Sequence, residues 1–182
     1  QQVFDPQFSL TDDGTLPYRP GSSPCDEEGV PIRPLKLVEQ GVVKQFIYDL
    51  QTAGMAGAQT TASGRRSLET PPSPSTSTLI VQEGKVSFQD MVAEIREGLV
   101  IEYLMGAGQG NILAGDFSGN VLLGYKIESG KLVGRVKDTM VAGNVYEAMK
   151  SGIALGNDGR WANGALWAPS LFLPKLTVSA KE

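Results

Sequence analysis

The stretch "LVIEYLMGAGQGNILAGDFSGNVLLGYKIESGKLVGRV", residues 99–136, decides the fold class. Four runs rich in strand-forming residues, at 99–105, 112–118, 121–128 and 131–136, are separated only by glycine-rich or Ser-Gly breaks. Parallel neighbours need crossover connections of a dozen or more residues, and the breaks leave no room for them, so the spacing predicts an antiparallel meander. Ser129-Gly130 supplies the turn of its last hairpin.

Toward the N-terminus, residues 87–97 predict the best helix. Ser87 is its cap, Asp90 follows three residues on, Phe88, Met91, Val92 and Ile95 share one face, and Gly98 ends it. That apolar stripe reads as core. A strand is expected at 78–82. Residues 52–78 read as a mobile loop, small and polar and then Pro/Ser-rich, with one short helix. The segment "LKLVEQGVVKQFIYDL", residues 35–50, reads as a hairpin around Gln40-Gly41, and residues 5–34 as an irregular meander fixed by prolines.

Toward the C-terminus a second helix is expected over 144–154, capped by Asn144 and turning Val145, Met149 and Ile153 inward. Asn157-Asp158-Gly159 reads as a left-handed turn. The tail "SLFLPKLTVSA", residues 170–180, reads as a closing strand interrupted by Pro174, which suits an edge or a bulge. Seven or eight strands and about two helices define an α+β class dominated by β structure. The expected arrangement is a largely antiparallel sheet or barrel-like meander in a single domain over residues 1–182.

Composition narrows the chemistry. The 182 residues carry 16 Lys and Arg against 20 Asp and Glu, a net charge of −4, with no long basic run. A nucleic-acid surface is not expected, because phosphate binding needs a concentrated basic face. Histidine is absent and cysteine occurs once, at Cys25. No intrachain disulfide is possible, Cys-His and Ser-His-Asp pairings are excluded, and a reducing, cytoplasmic setting is the expectation. No apolar stretch approaches the length that spans a bilayer, so a soluble protein with no membrane partner is expected. The chain begins at Gln1 rather than methionine and is read as a fragment or a processed piece of something longer.

Several constellations invite chemistry. Asp116 and Ser118 lie two apart in a strand and share a face, as an acid and a hydroxyl would. Without histidine Ser118 has no visible base, and the plainer reading has Asp116 accepting backbone hydrogen bonds at a bulge flanked by Gly115 and Gly119. In "GAGQG", residues 106–110, the third glycine of a dinucleotide fingerprint would fall on Asn111 and no helix follows, so a flexible inter-strand loop is expected. Asp12-Asp13 and Asp26-Glu27-Glu28 lack the ligand spacing of a calcium loop and read as turns, with Glu27 or Glu28 available to Arg33. Trp161, Trp167 and Phe172 suit either a partner surface or the core.

The order of segments says more than any one of them. "DEEGVPIRPLKLVEQGVVKQFIYDLQTA", "GKVSFQDMVAEIREGLVIEYLMG", "GDFSGNVLLGYKIESGKLVGRVKDTMVAGN" and "IALGNDGRW" follow one another through the chain. Together they resemble the C-terminal part of the TldD/PmbA family, the so-called modulators of DNA gyrase, over about residues 5–180. "GDFSGN" and "YKIESGKL" resemble its PmbA-like (TldE-like) branch. The resemblance implies a cytoplasmic bacterial or archaeal zinc-dependent peptidase assembly, in which a TldD-like subunit pairs with a PmbA-like one. In such families the TldD-like chains carry a zinc-binding H-E-x-x-x-H helix in an N-terminal half and a further ligand from the C-terminal half. Family chains are about twice this length, so an N-terminal half is expected to be missing here.

No metal ligand and no catalytic residue carries over to this chain, and the zinc is expected on the TldD-like partner. The implied role is that of a non-catalytic domain serving dimerisation, with that partner or with itself, and accommodation of a peptide or unfolded protein substrate. Asp116, Ser118, Asn144, Arg65 and Arg66 are the candidate interface or substrate contacts. A stand-alone protein-binding or scaffold domain is the alternative. An autonomous hydrolase using Ser118 or Cys25 is disfavoured by the missing histidine, and a gyrase-modulating role finds no support in the charge balance.

Overall fold

In a computed structural model, residues 2–180 are described, and fifteen strands and three α-helices occur among them. The first elements are β1 (Leu10–Asp12), β2 (Leu35–Glu39), β3 (Val42–Val43), α1 (Leu50–Ala56), β4 (Gly64–Arg65), β5 (Ser73–Pro74), β6 (Leu79–Val81) and α2 (Phe88–Ala93). Then follow β7 (Glu97–Met105), β8 (Asp116–Glu128), β9 (Lys131–Arg135), β10 (Thr139–Asn144) and α3 (Val145–Ala148). The last are β11 (Ala154–Leu155), β12 (Arg160–Ala162), β13 (Leu166–Ala168), β14 (Leu171–Phe172) and β15 (Thr177–Ala180). The class is α+β with β dominant; the sheets are mostly antiparallel and none closes into a barrel. Many strands are two or three residues long, which is why their number exceeds the expected seven or eight. No helix among the described residues is long and apolar enough to cross a membrane.

The chain folds as two units. One comprises Phe8–Glu83 and Gly159–Pro169 with Gln2, and holds a six-stranded sheet in the order β12-β13-β6-β1-β2-β3. Gln40 and Gly41, with φ of 49° and 77°, turn β2 into β3 as expected. Asn163 and Gly164, at 49° and 75°, do the same between β12 and β13. β13 runs parallel to β6, the one departure from antiparallel pairing in this sheet. Residues 84–158 lie between them in the chain and supply the long connection that parallel strands require.

The 5–34 meander contains β1, which pairs with both β2 and β6. Its end is pinned by Asp12, whose carboxylate accepts hydrogen bonds from the Ser77 and Thr78 amides and the Ser77 hydroxyl. The expected 52–78 loop is ordered by three devices. α1 starts at a capping box in which the Asp49 carboxylate accepts from the Thr52 amide at 2.6 Å and the Thr52 hydroxyl accepts from the Asp49 amide. β4 pairs with β5, and Asp26 receives the Gly64 amide as well as those of Glu28 and Val30. Trp161 and Trp167 meet edge to face at 5.2 Å, with the Arg19 guanidinium 3.7 Å from the Trp161 ring centre, so these rings pack within the unit.

The other unit, Val3–Gln7, Gly84–Asp158 and residues 170–180, holds a sheet in the order β15-β10-β8-β7. β8 is thirteen residues long; its first half pairs with β10 and its second with β9, while β7 runs along the opposite side. Ser129 and Gly130, at φ 49° and 76°, form the expected hairpin turn. Val121, Ile127 and Val141 are the buried centre of the sheet, joined by Met91 and Val92 of α2 and by Ile153 and Leu155.

Four expectations are corrected here. The run at 112–118 is not one strand: residues Ile112–Ala114 form a 3-10 turn, and only from Asp116 does the chain extend. Gly115 and Gly119 do not flank a bulge, because β8 pairs with β10 in unbroken register from Asp116 to Asn120 and its register shifts against β7 and β9 lie further along the strand. The helix expected over 144–154 is the short α3, with Met149 and Ile153 buried but Val145 exposed. Asn157-Asp158-Gly159 does not turn left-handed; the Asp158 carboxylate instead receives the amide and hydroxyl of Ser170.

α2 keeps its Ser87 cap but ends at Ala93, before Ile95. The tail is divided at Pro174 into β14, paired with β11, and β15, an edge strand on β10.

Candidate functional site

Three of the five candidate residues lie together at the start of β8. Asp116 and Asn144 are register partners on β8 and β10. The Asn144 amide group donates to Asp116 Oδ1 and to the Ala114 carbonyl oxygen, both at 2.8 Å. Its own oxygen accepts from the amides of Tyr146 and Glu147 at 3.0 and 3.3 Å, which is the expected cap of α3. One side chain therefore ties the 3-10 turn, the start of β8 and the start of α3. Gly115 is needed at this junction: its φ is 82°, and a Cβ there would lie 2.5 Å from the Tyr146 ring.

Asp116 thus accepts from a side-chain amide and not from backbone at a bulge. Ser118 stands opposite Ala142 and is exposed, on the same face as Asp116 by the two-residue period of the strand.

The arginines belong to the other unit. The Arg65 guanidinium donates to the Gly21 carbonyl oxygen at 3.1 Å, bracing the β4–β5 hairpin, and Arg66 is exposed with its backbone amide on the Glu27 carboxylate. Arg33 donates to the Thr60 carbonyl oxygen and not to Glu27 or Glu28, and Glu28 receives the Leu50 amide.

The carboxylates that suggested cation binding are occupied with backbone amides. Asp12 and Asp26 do this, and Asp5 likewise receives the amides of Gln7 and Gly152. At Asp49 the Thr52 hydroxyl and amide favour the ionised carboxyl and hold it below its ordinary value. Among the described residues no three His, Cys, Asp or Glu stand together in a way that could hold a metal ion. A zinc site does not fit the donors present, since zinc draws on imidazole and thiolate and the chain offers no histidine and one cysteine, the half-buried Cys25.

β7 closes the order of its sheet, so along nine residues its outer side pairs with no other strand among the described residues. Tyr103 and Met105 at its end, and Ile112 and Leu113 on the following connection, are exposed. The 99–105 run was legible as a strand; that it lies at an edge depends on which strands pair, which local sequence does not encode.

Comparison with known proteins accords with this architecture. The PmbA/TldA metallopeptidase C-terminal domain family is matched across residues 1–180. The metalloprotease TldD homolog of Haemophilus influenzae is 30% identical over 192 aligned residues, covering 98% of this chain and 40% of its own length. A crystal structure described as a modulator of a DNA gyrase from Thermotoga maritima superposes with a TM-score of 0.86 at 30% identity, over 98% of this chain and 40% of that one. TldE from Thermococcus kodakarensis gives 0.85 at 25% identity, over 99% of this chain and 41% of its own. The chain spans about 40% of the length of these relatives. With the match running through both sheets and the junction at Asn144, this chain belongs to the PmbA/TldA metallopeptidase C-terminal domain family.

Proposed function

We propose that the chain is a non-catalytic, PmbA/TldE-like domain of a TldD/TldE-type zinc-dependent peptidase assembly in the cytoplasm, contributing dimerisation and accommodation of an extended peptide substrate. The observation that carries the reading is the family match over residues 1–180 in a chain whose donors do not suit zinc. The metal belongs, on this reading, to a TldD-like partner subunit. Ser118 has an acid two residues away but no imidazole anywhere to take its proton, and Asp116 is engaged by Asn144. The open side of β7 supports strand addition, in which main-chain hydrogen bonds hold a peptide with little regard to its side chains. Asp116, Ser118 and Asn144, and Arg65 and Arg66 in the other unit, are the contacts proposed for partner or substrate.

The test is co-expression with a TldD-like chain carrying H-E-x-x-x-H from the same genome. A stable complex is expected, with peptidase activity that needs the partner and is lost when zinc is chelated. Failure of the two chains to associate would sink the subunit reading and leave a stand-alone binding domain.

A further inference from the structure

We propose that Asn163 is a self-modifying site: the Gly164 amide nitrogen attacks the Asn163 carboxamide, and the product loosens the hairpin between β12 and β13. The inference stands apart from the peptidase reading. Asn163-Gly164 is the sole Asn-Gly pair in the chain, whereas Asn111, Asn120, Asn144 and Asn157 precede Ile112, Val121, Val145 and Asp158. A side chain on the following residue crowds the attacking nitrogen, and glycine has none.

The fold sharpens this contrast. Ala162 pairs with Leu166, so Asn163, Gly164 and Ala165 form the loop, and Gly164 lies outside both strands. Asn163 is exposed, and among the described residues no hydrogen bond engages its side chain. The Asn144 side chain is tied to Asp116, Ala114, Tyr146 and Glu147, and that of Asn111 accepts the Ala114 amide. Asn120 sits within β8, paired on both sides, and the Asn157 amide is bonded to the Val86 carbonyl oxygen.

In the reaction the Gly164 nitrogen loses its proton and bonds to the Asn163 side-chain carbonyl carbon, and ammonia leaves as the cyclic imide closes. Water then opens the ring at either carbonyl. One opening gives aspartate. The other gives isoaspartate, in which the main chain runs through Cβ and Cγ and is longer by a methylene. Aspartate tolerates the left-handed φ of 49° as asparagine does, so the first product leaves the loop in place. The longer main chain of the second shifts the strands that this short loop joins. β13 is held on its other side by β6, and the Ala165 carbonyl oxygen accepts the Leu79 amide at 2.8 Å. β12 is the edge strand and pairs only with β13 among the described residues, so the shift falls on β12. Trp161 thereby moves against Trp167 and Arg19, and these are the two tryptophans of the chain.

The test holds the unaltered chain at pH 8 and maps its peptides by mass spectrometry over time. Conversion at Asn163 should run at least about 10-fold faster than at any other asparagine. It should slow at pH 6, because the attacking nitrogen must lose its proton. Labelling by an isoaspartate-specific methyltransferase should fall on residue 163, with a change in tryptophan fluorescence that keeps pace with it. Asn163→Gly suits the same backbone and lacks the carboxamide, so it should abolish both the labelling and the fluorescence drift. Another asparagine converting as fast, isoaspartate at 163 with unchanged fluorescence, or a drift that persists in Asn163→Gly would each overturn the proposal.

Discussion

Replacing Asn144 by Asp separates the two jobs of one side chain. The variant keeps an oxygen for the amides of Tyr146 and Glu147, but its second oxygen takes the place of a donor that now serves Asp116 Oδ1 and the Ala114 carbonyl oxygen, each at 2.8 Å. Two hydrogen bonds are lost, at about 1 kcal/mol each. Two carboxylates 2.8 Å apart repel by about 1.5 kcal/mol even with the dielectric of bulk water. Asp116 is exposed and can rotate away, which relieves part of the repulsion. A loss of about 2–3 kcal/mol at pH 7 is therefore expected for Asn144→Asp.

Adding Asp116→Asn to Asn144→Asp returns an amide donor to the pair and should recover about 1 kcal/mol. The assay is urea unfolding at pH 7 followed by far-ultraviolet circular dichroism. An Asn144→Asp variant within about 0.5 kcal/mol of the unaltered chain at pH 7, or a double variant no more stable than Asn144→Asp alone, would refute the account of this junction.

Three further outcomes follow from the packing. Gly84→Ala drives a Cβ into the Leu155 carbonyl oxygen, beside the Gly84 amide bond to Gly156, and should cost more than about 2 kcal/mol by the same unfolding assay; a mild loss would show that this crossing yields easily. Thr78→Val removes a fully buried hydroxyl that has no partner among the described residues, while the Thr78 amide stays on Asp12, and should raise stability by about 1 kcal/mol. Destabilisation would mean that the hydroxyl is satisfied in solution. At Asp49 the folded carboxyl titrates below its ordinary value of 3.8, so its contribution is fully present above that pH and is lost as pH falls through the lower folded value. The stability gap between the unaltered chain and Asp49→Asn should accordingly close in strong acid, and a gap constant down to pH 2 would contradict the assignment.

Much of the fold was legible because it is local. Gln40-Gly41 and Ser129-Gly130 sit in the left-handed region that two-residue hairpins require, and Ser87 and Asn144 cap the helices they precede. Asn163-Gly164 carries the same kind of signal and turns left-handed, whereas Asn157-Asp158-Gly159 just upstream does not, its Asp158 carboxylate accepting the Ser170 amide. The helices are shorter than the apolar periodicity predicts. α2 and α3 keep their caps but end early, since after one or two turns the chain gains more by entering strands and the core than by extending an isolated helix.

The candidate site was half legible. Asp116 and Ser118 could be placed on one face from their spacing, but Asp116 and Asn144 are 28 residues apart and meet only because β10 pairs with the start of β8. Likewise Asp12 reaches Ser77, 65 residues away, and Asp26 reaches Gly64, 38 away.

Local propensity, turn chemistry and composition thus determined the β-rich class, the hairpins, the caps and the absence of an imidazole, because each depends on residues within a few positions of one another. Tertiary structure alone decided which strands lie at edges, how β13 comes to run beside β6, why the tail divides between two sheets, and which amides each aspartate serves. Those outcomes are set by long-range pairing and burial, whose free energies arise only when distant segments meet.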